Sequence, residues 1–188
     1  MITTLELTYN PQDAVDYLKK LQTEYEHYHW YYIKDHNDTR SLSDHFSLKT
    51  MHGYGLQTIY GDLTFPYHCD IDPHDEGPEY FKDTSLVFGF FKTIKDNFNN
   101  VFRSFVMTFE PGDYIGKWTA GVKPHIRVFI PLVTNGTNWL RAYDSTGHYS
   151  VVPEVGKIYT IDMLDKTSYA NIVNEGKDNI SFIMFSTL

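Results

Sequence analysis

The chain has 188 residues, 41% of them hydrophobic, which is enough for one well-buried core and argues for a single domain spanning 1–188. Its formal net charge is −8 and its 16 Lys and Arg are scattered, so no basic stripe exists to hold a phosphate backbone and nucleic acid is not an expected partner. No apolar run reaches the ~18–20 residues that span a bilayer, Cys69 is the single cysteine, and the first residues carry no signal-peptide pattern. These features predict a soluble, cytoplasmic protein with no membrane partner.

In chain order, Asn10 followed by Pro11 reads as a helix cap with proline in the first turn, and Val15, Leu18, Leu21, Tyr25 and Tyr28 recur at helical spacing. Residues 35–44 are polar and turn-rich, 55–59 read as a short strand, and 66–78 are too dense in His, Asp and Pro for a regular element. Between 84 and 98, Leu86, Val87, Phe90, Phe91, Ile94 and Phe98 form a helix-compatible set suited to covering one face of a sheet.

After Asn100 the texture changes to short β-branched and aromatic runs at 102–109, 125–132, 139–143, 148–152, 157–161, 169–173 and 180–185. Pro-Gly, Asn-Gly, Thr-Gly, Val-Gly and Glu-Gly pairs separate them. Runs this short and closely spaced predict strands of an all-β sandwich or barrel. The expected architecture is mainly β with flanking helices: a helical and loop-rich part over 1–100, and a jelly-roll core over 101–188.

Two spacings sharpen that expectation. Gly112 is followed, after five residues, by positions 118 and 120; alternate residues of a strand share a face, so both would face one side. Gly156 precedes Thr167 by some ten residues, and Asn171 follows four later. With Pro111-Gly112-Asp113-Tyr114-Ile115, the stretch 127–135 beginning Arg-Val-Phe-Ile-Pro-Leu, and the stretch 156–162 ending in Asp162, these segments resemble the aspartyl/asparaginyl β-hydroxylase-like branch of the Fe(II)/2-oxoglutarate oxygenases. The resemblance covers about half the chain and implies a double-stranded β-helix of the cupin type. In that family the matching positions hold two histidines and a carboxylate on one face of an iron ion.

Here those positions hold Trp118, Ala120 and Thr167. An indole nitrogen only donates, alanine offers no ligand atom, and a neutral hydroxyl is a poor donor to a divalent metal. The final-strand arginine that the resemblance implies for the cosubstrate carboxylate falls near Asn179, and the strand histidine falls at Phe129. Arg127 and Asn179 are left as candidate anion contacts, although a strand arginine is more commonly a surface or ion-pair residue. For Trp118 and Thr167, a repurposed pocket competes with plain core filling, since a large aromatic is a common way to avoid a cavity.

A second candidate centre is His68, Asp70 and His125: His68 and Asp70 share a short loop with Asp72, His74 and Asp75, and His125 follows at a distance suited to a third ligand. The prolines at 66, 73 and 78 weaken it, because they oppose strands that would aim both ligands one way. A Cys69–His68 dyad lacks an orienting third group and an oxyanion site. The expectation is therefore an oxygenase-like jelly roll that has lost the iron site and acts as a binding or structural protein. No cofactor is expected, the partner is an unidentified small molecule or protein, and a homo-oligomer is allowed. The alternative is an active dioxygenase using His68, Asp70 and His125 with Fe(II) and 2-oxoglutarate.

Overall fold

The computed structural model describes residues 1–29, 52–58, 61, 77–119, 124–163 and 168–188, with the side chains of 28, 29, 115–119 and 169 outside the description. The chain opens on β1 (Ile2–Thr8), which the sequence reading did not assign, and enters α1 (Pro11–Glu24). Asn10 caps α1 as expected, its side-chain oxygen accepting from the Gln12 amide at 3.0 Å. The buried face of α1 is Ala14, Tyr17, Leu18 and Leu21, whereas Val15 is 40% exposed. Positions 14, 17, 18 and 21 lie within one turn-aligned stripe and Val15 projects about 100° away from Ala14, so the expected stripe was rotated. Tyr28 leaves the helix altogether and lies in β2 (Tyr28–His29).

Next come β3 (His52–Gly55), β4 (Gln57–Thr58), a 3-10 turn at Pro78–Tyr80, β5 (Lys82–Asp83) and α2 (Gly89–Lys95). The helix expected over 84–98 is thus only seven residues long. Its approach is a turn, with the Thr84 hydroxyl accepting from the Leu86 amide at 3.2 Å, and Leu86 is buried from that turn rather than from a helix. Eight strands follow: β6 (Phe102–Phe109), β7 (Tyr114–Thr119), β8 (His125–Val133), β9 (Asn138–Asp144), β10 (Gly147–Val151), β11 (Lys157–Met163), β12 (Tyr169–Asn174) and β13 (Ile180–Thr187).

These eight form a double-stranded β-helix. One sheet runs β10-β9-β12-β7; the other holds β11-β8-β13-β6 at its centre, extended by β1 on one edge and by β3 and β2 on the other. The first hundred residues therefore supply sheet as well as helix, a correction to the helical and loop-rich reading. Pairings such as Ile2 with Ile161 and Tyr54 with Val106 join that part to the core by hydrogen-bonded ladders.

The larger sheet separates two apolar cores. Between sheet and helices lie Leu18, Leu21, Phe91, Ile94, Val106, Val128, Ile130, Leu132, Ile183 and Phe185. Between the two sheets lie Phe105, Met107, Phe109, Phe129, Leu140, Ala170, Ile172, Phe182 and Met184. Every residue of β6 and β13 is buried because both faces of these strands are covered, which is why they read as unbroken apolar runs. Strand β9, on the outer sheet, alternates instead.

The helix layer is pinned to the sheet by the buried Tyr17 and the half-buried Tyr9. The Tyr17 hydroxyl donates to the Leu86 carbonyl at 2.7 Å, and the Tyr9 hydroxyl donates to the Pro131 carbonyl. Burial pushes both phenols well above the usual range, with a smaller contribution at Tyr17 from Tyr25. A folded-state pKa above the unfolded value of 10.0 means that the stabilisation is complete below pH 10 and is lost as pH rises beyond it. Tyr17→Phe is expected to cost about 1–2 kcal/mol near neutrality, by leaving the Leu86 carbonyl buried without its donor. Urea titrations between pH 8 and 11 should show a shallower alkaline decline in the variant; an unchanged decline would place the titrating group elsewhere.

Candidate functional site

Alternation along β8 decides which side chains enter the barrel. Val128, Ile130 and Leu132 pack toward the helices, so Phe129, Arg127 and His125 take the side that faces the other sheet. Arg127 is fully buried and His125 is 5% exposed. The Arg127 Nη2 lies 3.3 Å from His125 Nε2. A guanidinium can only donate, so Nε2 is the acceptor and the imidazole proton sits on Nδ1. Ser186 stands opposite Arg127 in the β8–β13 register, is fully buried, and has no hydrogen-bond partner for its hydroxyl oxygen among the described residues. Phe102 packs edge-on to His125 at 6.0 Å between ring centres.

This polar group lies toward one end of the barrel. The opposite end is closed by backbone and amide hydrogen bonds around Asn174: its amide donates to the Asp113 carbonyl at 2.9 Å, and its side chain donates to the Phe109 carbonyl at 3.1 Å. Asn135 also donates to the Asn174 side-chain oxygen, at 2.8 Å. Gly112 serves this closed end, its φ of 88° being one that an L side chain rarely adopts, and its amide donates to the Asn174 carbonyl. Gly156, the other motif glycine, also has positive φ, at 98°.

The structure places the expected residues unevenly. Trp118 lies in β7, paired with Ala170, and Ala170 belongs to the inter-sheet core. The next pair, Thr119 with Tyr169, ends that ladder at the barrel mouth. Ala120, Thr167, His68 and Asp70 lie outside the described residues. Asn179 does not join Arg127: it is exposed, and it precedes β13 at the closed end, whereas Arg127 pairs with Ser186 near the strand's other end. Roughly 20 Å of extended chain separates them. The register cause is plain, since β13 begins only at Ile180 and its inward positions are Ile180, Phe182, Met184 and Ser186.

No protein-family profile and no curated relative matches the chain. Among solved structures it is similar to a prolyl-4-hydroxylase from Pseudomonas putida, at 8% identity over 99% of this chain and 91% of that one, with a TM-score of 0.56. The two share the double-stranded β-helix, or jelly-roll, fold. A 2OG-Fe(II) oxygenase family oxidoreductase from Burkholderia pseudomallei matches at 9% identity over 72% of this chain and 65% of that one, with a TM-score of 0.48. CENP-C bound to CAL1, from Drosophila melanogaster, matches at 16% identity over 45% of this chain, with a TM-score of 0.37. The chain spans 63% of that CENP-C chain, and 57% of a CENP-C cumin domain from the same organism.

In the branch that the sequence resembles an iron ion is expected, and the residues at its ligand positions are poor donors to one. The sequence positions that match the ligands carry an indole, a methyl group and a hydroxyl. His125, the described member of the alternative set, has its Nε2 lone pair directed at a guanidinium donor, and a cation beside that nitrogen opposes a second cation. Among the described residues no group of three His, Cys, Asp or Glu could hold a metal. No described helix is long and apolar enough to cross a membrane. Sequence reasoning flagged Arg127 and His125 separately, one as an anion contact and one as a ligand. It missed that they form a pair, and it missed Ser186 and the buried Arg103, whose backbone takes a left-handed φ of 54°.

Proposed function

We propose that this chain is an oxygenase-like jelly roll without the iron site, and that it binds a small carboxylate inside the barrel through Arg127. The observation that carries the reading is a fully buried guanidinium on the inter-sheet side of β8, supported by His125. A guanidinium presents a planar fork that matches a carboxylate in two parallel hydrogen bonds, and in a dry interior such bonds strengthen. On this reading Trp118, Ala120 and Thr167, the residues at the positions that the resemblance gives to iron ligands, hold no metal. Active chemistry through His68, Asp70 and His125 is the competing reading, favoured by the inward position of His125 and opposed by its bond to Arg127.

Anaerobic titration separates the two. 2-Oxoglutarate alone is expected to raise the thermal midpoint, with iron(II) adding nothing and no visible charge-transfer band forming. Arg127→Lys keeps the charge but loses the fork, and should weaken the response about tenfold or more. A visible band that disappears in His68→Ala would instead establish the metal enzyme. A thermal midpoint indifferent to 2-oxoglutarate and to simpler carboxylates would overturn the anion site.

A further inference from the structure

On the other side of the larger sheet, remote from the barrel interior, α1, α2 and the end of β1 enclose a groove of about 490 Å³. Its aromatic lining is ordered by ring contacts. Tyr17 packs against Phe88 at 5.2 Å and against Phe90 at 5.8 Å between ring centres, and Tyr9 meets Phe90 edge-on at 5.2 Å. Hydroxyl bonds to Leu86 and Pro131 hold both tyrosines in place. Along the rim, Asp13 and Asp16 project from the first turns of α1 into solvent. Their described polar contacts are to the Asn10 and Gln12 amides, and neither carboxylate meets a cation among the described residues.

We propose that this groove binds a small alkylammonium compound. The volume is in the range of small-molecule sites rather than of a docked helix, and aromatic faces beside carboxylates are the chemistry that holds an organic cation. The chain supplies its own example: the Lys20 ammonium lies 4.9 Å from the centre of the Phe88 ring, in the same groove. Asp13 in the first turn offsets the positive end of α1, and the chain's net charge of −8 favours approach of a cation. Lys20 occupies one aromatic face and acts as an internal competitor that the ligand displaces.

Calorimetric titration of the intact protein with 1,4-diaminobutane, repeated with tetramethylammonium and with sodium chloride at equal ionic strength, tests the site. Both organic cations are expected to bind and sodium is not. Asp13→Asn with Asp16→Asn should weaken binding about fivefold or more, and Lys20→Gln should tighten it severalfold by freeing the Phe88 face. All three substitutions are at exposed positions, so folding is checked readily by the unchanged unfolding midpoint to within a few degrees. Binding that ignores the aspartate pair, or that weakens in Lys20→Gln, would show attraction to the acidic surface in general and overturn the proposal, as would no heat with either amine.

Discussion

Phe129→Ala is expected to lower the unfolding free energy by about 3–5 kcal/mol, a large share of what a domain of this size possesses. Phe129 is fully buried at the centre of β8, paired with Tyr159 on one side and Met184 on the other, in the core where the two sheets meet. The sheets are joined there by side chains rather than by hydrogen bonds, so a hole cannot close by a simple backbone shift. Phe129→Leu, which restores most of the volume, should cost only about 1–1.5 kcal/mol. Urea unfolding with an unchanged slope measures both, and equal losses would mean that the phenyl ring is not what spans the sheets. Phe129 also stands where the resemblance places a strand histidine. An apolar ring there packs in the core between the two sheets.

Arg127→Ala is the second large effect, about 3–5 kcal/mol, because it opens a cavity and leaves the His125 Nε2 buried without the guanidinium that donates to it. Arg127→Lys should recover part of this loss but not the response to 2-oxoglutarate, since an ammonium keeps the charge and loses the fork. Stability and ligand response are therefore expected to separate in Lys and to fall together in Ala. If both variants kept the full thermal shift with 2-oxoglutarate, the anion would be bound elsewhere. Double substitution with His125→Ala measures the coupling of the pair, and additive losses would mean that the 3.3 Å contact contributes nothing of its own.

The amino-acid sequence by itself determined the jelly-roll half. Short apolar runs bounded by glycine turns became β6 and β8 to β13 nearly at their expected bounds, and in β6, β8 and β13 burial on both faces writes itself as continuous hydrophobicity. It also located the Asn10 cap and the two motif glycines, Gly112 and Gly156, whose positive φ is a local backbone requirement. Tertiary structure decided what depends on distant partners. Strand β1, with its half-exposed alternation of Ile, Thr, Leu and Glu, becomes a strand by pairing with β11, some 150 residues away. Which face of α1 is buried, and where the expected helix at 84–98 starts and stops, was settled by the sheet they cover. The pairing of His125 with Arg127 needs the strand alternation to be fixed in space, and the separation of Arg127 from Asn179 needs the start of β13, which turn geometry and cross-strand register set together.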